Sequence, residues 1–388
     1  MQKTDFPDVK KPIRENLTPQ YIAGLLRQYM RAGEYKLWKY KLLPLAQIKP
    51  DLEAARTASQ ILQSVKDPQI ARLLGDTVRD VSPYLHWRQY REIYAVHPDM
   101  SRSLIGMGSK SVIPGSILRR LRHPNPLFVT PGGARFTHPD GLPGRILGFF
   151  VTGAMSNSYP KSEGSKGAVL TESGASAGRR AAVLLDTHDQ HANALHVVVA
   201  SEVINEAGTW VLDMDMCHLT IPMTAEFTLD GLVEEIADGG FLWAQSMGGP
   251  IQNEKVRGYL ETAARTVITH LLYACSRTSE IAEGKSDRPP VRRRKGTAVN
   301  REDRPAKVRE VGYRTGARIE NNVRWVAEKG AGASGGSGRT MPFHIRAAHP
   351  HLYRVGPGRK EVEIKFLDPI MVNLKDEDTD VATMHEMR

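Results

Sequence analysis

At 388 residues, with 40% hydrophobic and 7% aromatic content, the chain has room for two or three domains and the composition of an ordinary globular protein. Its longest apolar run, ILGFFVTGA (146–154), falls short of the roughly 20 residues that span a bilayer. The N-terminus carries no apolar signal core, so neither a membrane protein nor a secreted one is expected. The net charge of +10 is unevenly placed: residues 285–329 hold 14 Lys and Arg against 6 Asp and Glu, and residues 339–388 hold 8 against 8. A nearly neutral body with one strongly basic segment is the pattern of a polyanion contact, or of a solvated basic linker.

In chain order, residues 1–16 are polar. Thr18-Pro19 then makes an N-cap and first-turn pair, with Tyr21, Ile22, Leu25, Leu26 and Tyr29 on one helical face. Further helices are predicted over 50–63 and 67–79, and WRQYREIY (87–94) continues the helical pattern until HPDM stops it. The Pro- and Gly-rich stretch 111–133 reads as loop, short helix and the start of a strand. Four runs of strand composition follow: RILGFFVTG (145–153), RRAAVLLDT (179–187), ALHVVVASE (194–202) and TWVLDMDM (209–216). They predict a mostly antiparallel sheet, with 156–178 as a mobile surface insertion between the first two.

Two amphipathic helices are predicted over 229–247 and 253–276. The second is nearly apolar toward its end and is the expected central buried helix. From Ala306 another helix is read from Val308, Val311, Thr315, Ile319, Val323 and Val326, with the Gly312–Gly316 spacing letting another backbone approach. A glycine-rich linker precedes a hairpin, HIRAAHPHLYRV and RKEVEIKFL, joined at Gly356-Pro357-Gly358. The fold expected is α+β. It comprises a helical N-terminal region (1–100), an α+β core (101–284), a basic arm with helix (285–329), a linker (330–340), a C-terminal β unit (341–375) and an acidic tail (376–388).

The densest group of titratable side chains lies in that hairpin. In an extended strand His349, His351 and Tyr353 share a face, and His344 and Arg346 share another. His349 and His351 can reach one metal ion, but no third ligand sits close by in sequence, so neither a metal nor a cofactor is expected. A metal-free ribonuclease needs a general acid, a general base and a cation, and His344, His349, His351, Tyr353, Arg346 and Lys365 supply those types. Plain RNA recognition uses the same groups, with arginine on phosphates and rings on bases. A purely structural role for the histidines in a small sheet is equally open. Asp186, His188, Asp189 and His191 are metal-capable but fall in a turn, and Asp213 and Asp215 alone are a weak Mg²⁺ signal. GMGSKS (106–111) lacks the phosphate-loop spacing. Cys217 and Cys275 stand far apart in apolar settings and read as reduced core residues.

From Thr269 to Asn373 four features follow in order: THLLYACSRTSEI, the basic RPPVRRRKG, VREVGYRTGARIENN, and PFHIRAAHPHLYRVGPGRKEVEIKFLDPIMVN. This order and wording resemble a family carried by phages and plasmids whose best-known member is a type V-A anti-CRISPR protein. The family stretch has the form H-I-R-R-A-H-W-H; here Ala347 replaces its second arginine and Pro350 its tryptophan, while His344, Arg346, His349 and His351 remain. HPNPLFVTP (123–131) is a further anchor. The resemblance implies a cytoplasmic factor in a bacterial host. Such a factor recognises the N-terminal segment of a nascent target protein and brings about degradation of its mRNA. Under that reading Arg292, Arg293, Arg294, Lys295, Arg301, Arg304, Lys307, Arg309, Arg314, Arg318 and Arg346 are the expected contacts to RNA or ribosome. The rival readings are a stand-alone ribonuclease or toxin acting through the histidine cluster, and a plasmid DNA-binding regulator whose basic arm grips duplex.

Overall fold

The computed structural model describes residues 18–39, 83–107, 111–131, 133–152, 194–205, 207–213, 217–223, 225–238, 253–284, 305–330, 344–346, 349–359, 361–367 and 370–372. The helices expected at 50–63 and 67–79, the insertion 156–178, the strand at 179–187, the turn bearing Asp186 to His191, and the acidic tail lie outside them.

Helix α1 (Pro19–Lys39) starts as its sequence dictates, with the Thr18 hydroxyl accepting from the Tyr21 amide at 3.2 Å. It buries Ile22, Leu25, Leu26 and Met30, while Tyr21 is partly exposed. Helix α2 (residues 83–90) ends sooner than its pattern suggested, because Glu92–Val96 forms strand β1. All five β1 residues are buried, as befits a strand covered on both faces. The HPDM that was expected to stop a helix begins one instead. Pro98 opens α3 (Pro98–Ile105), where its missing N–H costs nothing, and the His97 ring accepts from the Asp99 amide.

Strands β2 (Ile113–Pro114), β3 (Leu127–Val129), β4 (Arg135–Thr137), β5 (Pro143–Thr152), β6 (Ala194–Ile204), β7 (Trp210–Asp213), β8 (His218–Pro222) and β9 (Glu226–Phe227) follow, with a 3-10 helix at Gly115–Arg120. Helices α4 (Leu229–Ala237) and α5 (Glu254–Cys275) come next, capped by Thr228 and Asn253. The main sheet runs β10-β11-β1-β3-β5-β6-β7, where β10 is Ile281–Glu283 and β11 is Lys307–Val311; β4 joins β5 and β8 joins β6. Most pairs are antiparallel, but β1 pairs in parallel with both β11 and β3, so the sheet is mixed.

One face of the sheet carries α1 and α2, with Tyr84 and Trp87 edge-on to Phe150. The other carries α5, whose buried residues run from Val256 to Cys275 and make it the central buried helix its apolar composition indicated. Both cysteines are buried and free, and burial pushes the Cys275 thiol up to about 12. His270 on α5 is fully enclosed. Its Nδ1–H donates to the Thr266 carbonyl at 2.6 Å, which leaves Nε2 to accept the Ser101 hydroxyl at 2.9 Å.

The helix read from Ala306 is two elements. Lys307–Val311 is strand β11, and α6 (Tyr313–Gly330) begins beyond Gly312, whose φ of 66° ends the strand. Glu280 caps α6, its carboxylate accepting from the amides of Arg314 (2.9 Å) and Thr315 (3.2 Å).

At the C-terminus β12 (His344–Arg346) pairs with β15 (Ile370–Val372), and β13 (His349–Val355) forms the expected hairpin with β14 (Glu361–Leu367). The hairpin is docked on the body. Ile364 and Phe366 belong to the main core, the Arg277 amide donates to the Ile364 carbonyl, and the Tyr273 ring meets Phe366 edge-on at 5.1 Å. Among the described residues, no helix is long and apolar enough to cross a membrane.

Two stability predictions follow from these contacts. Burial holds the His270 imidazole down to about 4, so the folded chain binds this proton less readily than the unfolded one. Stability is therefore complete above pH 6.5 and falls as pH drops toward 4, by on the order of 3 kcal/mol from this group. Urea unfolding across that range measures it, and a flat profile would rule out the neutral buried histidine. Phe366→Ala empties a core site at the hairpin and should cost ~3–5 kcal/mol in the same assay.

Candidate nucleic-acid interface

The exposed face of the hairpin carries its chemistry. Strand alternation turns Pro350 inward on β13, and Ile364 and Phe366 inward on β14. His351 stands exposed and Tyr353 half-buried on the opposite face. Their rings are 4.5 Å apart between centroids and tilted at 41°, and Lys365 places its Nζ 4.8 Å from the centre of the Tyr353 ring. Lys365 is the direct cross-strand partner of His351, and Glu363 of Tyr353. Arg277 holds Glu363 at 3.1 Å. An imidazole, a phenol and an ammonium thus meet on one small surface, groups whose chemistry can stack on a base or hold a phosphate. His349 lies on the same strand face, paired with Leu367 across the ladder. His344 and Arg346 are in β12, on a separate two-stranded sheet paired with Val372 and Ile370. The backbone therefore places the stretch's histidines on two different sheets.

The expected cations of the arm divide into groups. Arg292, Arg293, Arg294, Lys295, Arg301 and Arg304 lie outside the described residues. The chain leaves the sheet at Gly284, after β10, and returns at β11. Those two strands are antiparallel neighbours, with Glu283 opposite Arg309 and the Gly284 amide donating to the Val308 carbonyl at 2.9 Å. The most basic part of the chain is thus joined at both ends to one point on the sheet. Its two ends are fixed side by side, a few residues beyond Thr278, whose hydroxyl is bonded to the hairpin at Phe366.

Arg309 is committed elsewhere, and Lys307, though 68% exposed, is ion-paired beside it. Arg309 donates to the nearly buried Glu92 at 2.9 Å and to Glu283 at 2.7 Å, and Lys307 lies 3.4 Å from Glu92. Hydrogen bonding to Glu92 raises the Arg309 pKa further. These two cations neutralise a carboxylate inside the sheet. Arg314 is 90% exposed beside Glu280, and Arg318, half-buried, lies on the same helix.

Two polar groupings escaped sequence reasoning because their members are far apart in the chain. The Tyr94 hydroxyl meets His123 Nδ1 at 2.7 Å. Burial raises the tyrosine pKa and lowers that of the histidine, so both stay neutral at physiological pH and the contact serves the fold. His97, Asp99 and Glu320 bring three ligand atoms within 4.8 Å of one another across α3 and α6.

With this geometry in place, the comparisons with known proteins are direct. The AcrVA2-like family model, described as the anti-CRISPR type V subtype A2 family, matches residues 94–374. The chain belongs to that family of anti-CRISPR proteins. A crystal structure of AcrVA2 is similar over 91% of this chain and 97% of that one, at 14% identity and a TM-score of 0.45. No curated protein matches the sequence.

Because Arg309 is held against Glu92 in the sheet, Arg309→Ala should act on stability. It strips Glu92 of its best partner but leaves Lys307 beside it, so the cost should be ~1–3 kcal/mol. Urea unfolding of the variant beside the parent measures this, and an unchanged midpoint would show that Glu92 does not depend on Arg309.

Proposed function

We propose that this anti-CRISPR protein suppresses production of a type V effector during translation. In this reading the segment 285–304 binds RNA or ribosome through phosphates, and the hairpin face adds ring stacking. The body reads the N-terminal segment of the nascent effector, whose mRNA is then degraded. The observation that carries the reading is the partition of cations. Arg309 is held by Glu92 and Glu283 and Lys307 is ion-paired to Glu92, whereas residues 285–304 hold 8 Lys and Arg against 3 Asp and Glu between neighbouring strand ends. Positive charge concentrated in one segment of a chain is suited to a polyanion. Family membership supplies the CRISPR target class.

The His351–Tyr353–Lys365 grouping supports a second reading, intrinsic ribonuclease activity. Imidazole and phenol can exchange the protons of a phosphate-ester cleavage, and the ammonium can stabilise the charge that develops.

The discriminating experiment presents naked single-stranded RNA to the full chain with and without EDTA. For the silencer, RNA survives and binding weakens steeply with salt. Changing Arg292, Arg293, Arg294 and Lys295 to alanine should lower the slope of log affinity against log salt by about 3, from roughly 0.7 per phosphate contact. Tyr353→Ala should cost ~1–3 kcal/mol of affinity if its ring stacks on a base. Silencing of a reporter should require the effector's first codons in frame. Cleavage of naked RNA that His351→Ala abolishes would replace the silencer with the nuclease, and an unchanged salt slope would remove the arm from the interface.

A further inference from the structure

The loop-to-helix junction at His97 and the middle of α6 are brought together by two glycines. A Cβ at Gly316 would lie 2.3 Å from His97 Nδ1, and one at Gly312 would lie 2.6 Å from the Met100 side chain. Only bare backbone lets the imidazole sit this deeply against the helix. One turn further along α6 is Glu320, on the same side as Gly316. On α3 the Asp99 carboxylate stands 3.8 Å from His97 Nδ1. The ring of His97 is also fixed from a third direction, edge-on to Tyr313 at 5.3 Å. Its geometry is therefore set by packing and not by a single rotamer choice.

We infer that His97, Asp99 and Glu320 form a binding site for a divalent cation of the Zn²⁺ type, which ties α3 to α6. Each supplies one ligand atom, and all three atoms lie within 4.8 Å of one another. A Zn²⁺ ion takes imidazole nitrogen and carboxylate oxygen at about 2.0–2.2 Å, so the set closes around it with small side-chain rotations. Three protein ligands leave a fourth position for water. One nitrogen and two carboxylates suit Zn²⁺ better than Mg²⁺, which prefers an all-oxygen octahedron. Without metal each carboxylate is balanced by an arginine on its own helix: Arg102 lies 2.5 Å from Asp99, and Arg324 lies 3.1 Å from Glu320. Both guanidinium groups are mostly exposed, at 60% and 63%, so they return to water cheaply when a cation displaces them. Coordination through Nδ1 replaces the 3.2 Å bond from the Asp99 amide that caps α3. A bound ion would couple the end of β1 to the helix that follows β11. It would thereby stiffen the side of the body to which the basic segment returns.

The test uses the full chain, stripped with chelator and titrated with Zn²⁺, and with Mg²⁺ as control, by calorimetry and thermal melting. One Zn²⁺ should bind per chain and raise the melting temperature, while Mg²⁺ at the same concentration does neither. Glu320→Gln keeps its shape on an exposed helix face. It should melt like the parent without metal and lose at least about ten-fold in Zn²⁺ affinity, since even residues behind the ligands cost that much. A His349→Ala, His351→Ala double variant should bind Zn²⁺ like the parent. The proposal is overturned if no stoichiometric binding occurs. It is equally overturned if Glu320→Gln binds as tightly as the parent, or if only the hairpin variant loses the ion.

Discussion

The parallel ladder between β1 and β11 is the constraint on which the C-terminal half of the molecule depends. Five backbone positions pair from Glu92↔Lys307 to Val96↔Val311, joining segments more than two hundred residues apart in sequence. β1, the inner strand of this ladder with parallel partners on both sides, is buried throughout, as parallel strands covered on both faces are. The one awkward residue in it is Glu92, a carboxylate at 5% exposure. An acid so placed must be matched by cations, and Lys307 and Arg309 arrive on the partner strand to do so. Once β11 is seated, α6 follows from it, capped by Glu280, and β10 closes the edge.

The same electrostatic requirement sorts the arginines and lysines that the sequence presents as one basic tract. Two are structural because of where the ladder places them, although they are identical in type to those upstream. Charge counted along a chain thus overstates what a partner can reach. It is the position of the nearest acid in space that decides whether a cation is committed or available.

Much of the architecture was legible from pattern alone. The capped α1, the apolar α5, the strands at 145–153 and 194–202 and the glycine-turned hairpin all have periodicities that local physics enforces. Misreadings cluster where a short, fully buried strand abuts a helix. Val308 and Val311, spaced by three, fit a helix stripe as well as the buried positions of a strand, and Glu-Ile-Tyr continued a helical run convincingly. His97-Pro98 shows how one signal can carry opposite meanings, since proline both ends and begins helices. Of the hairpin site, the shared face of His351 and Tyr353 was readable from alternation, but the approach of Lys365 needed the register. His97, Asp99 and Glu320 were invisible as a set, because only the packing of α6 on α3 unites residues that distant.

The adjacency of Gly284 and β11 has a consequence for how such a protein can change. Closing a chain segment between two ends already held side by side costs only about 0.6 kcal/mol more for each doubling of its length. The segment can therefore lengthen, shorten or exchange its residues while the sheet beneath it stays in register. The body acts as a fixed socket and the intervening segment as an interchangeable fitting, so that its length and composition can drift in a lineage without placing the fold at risk.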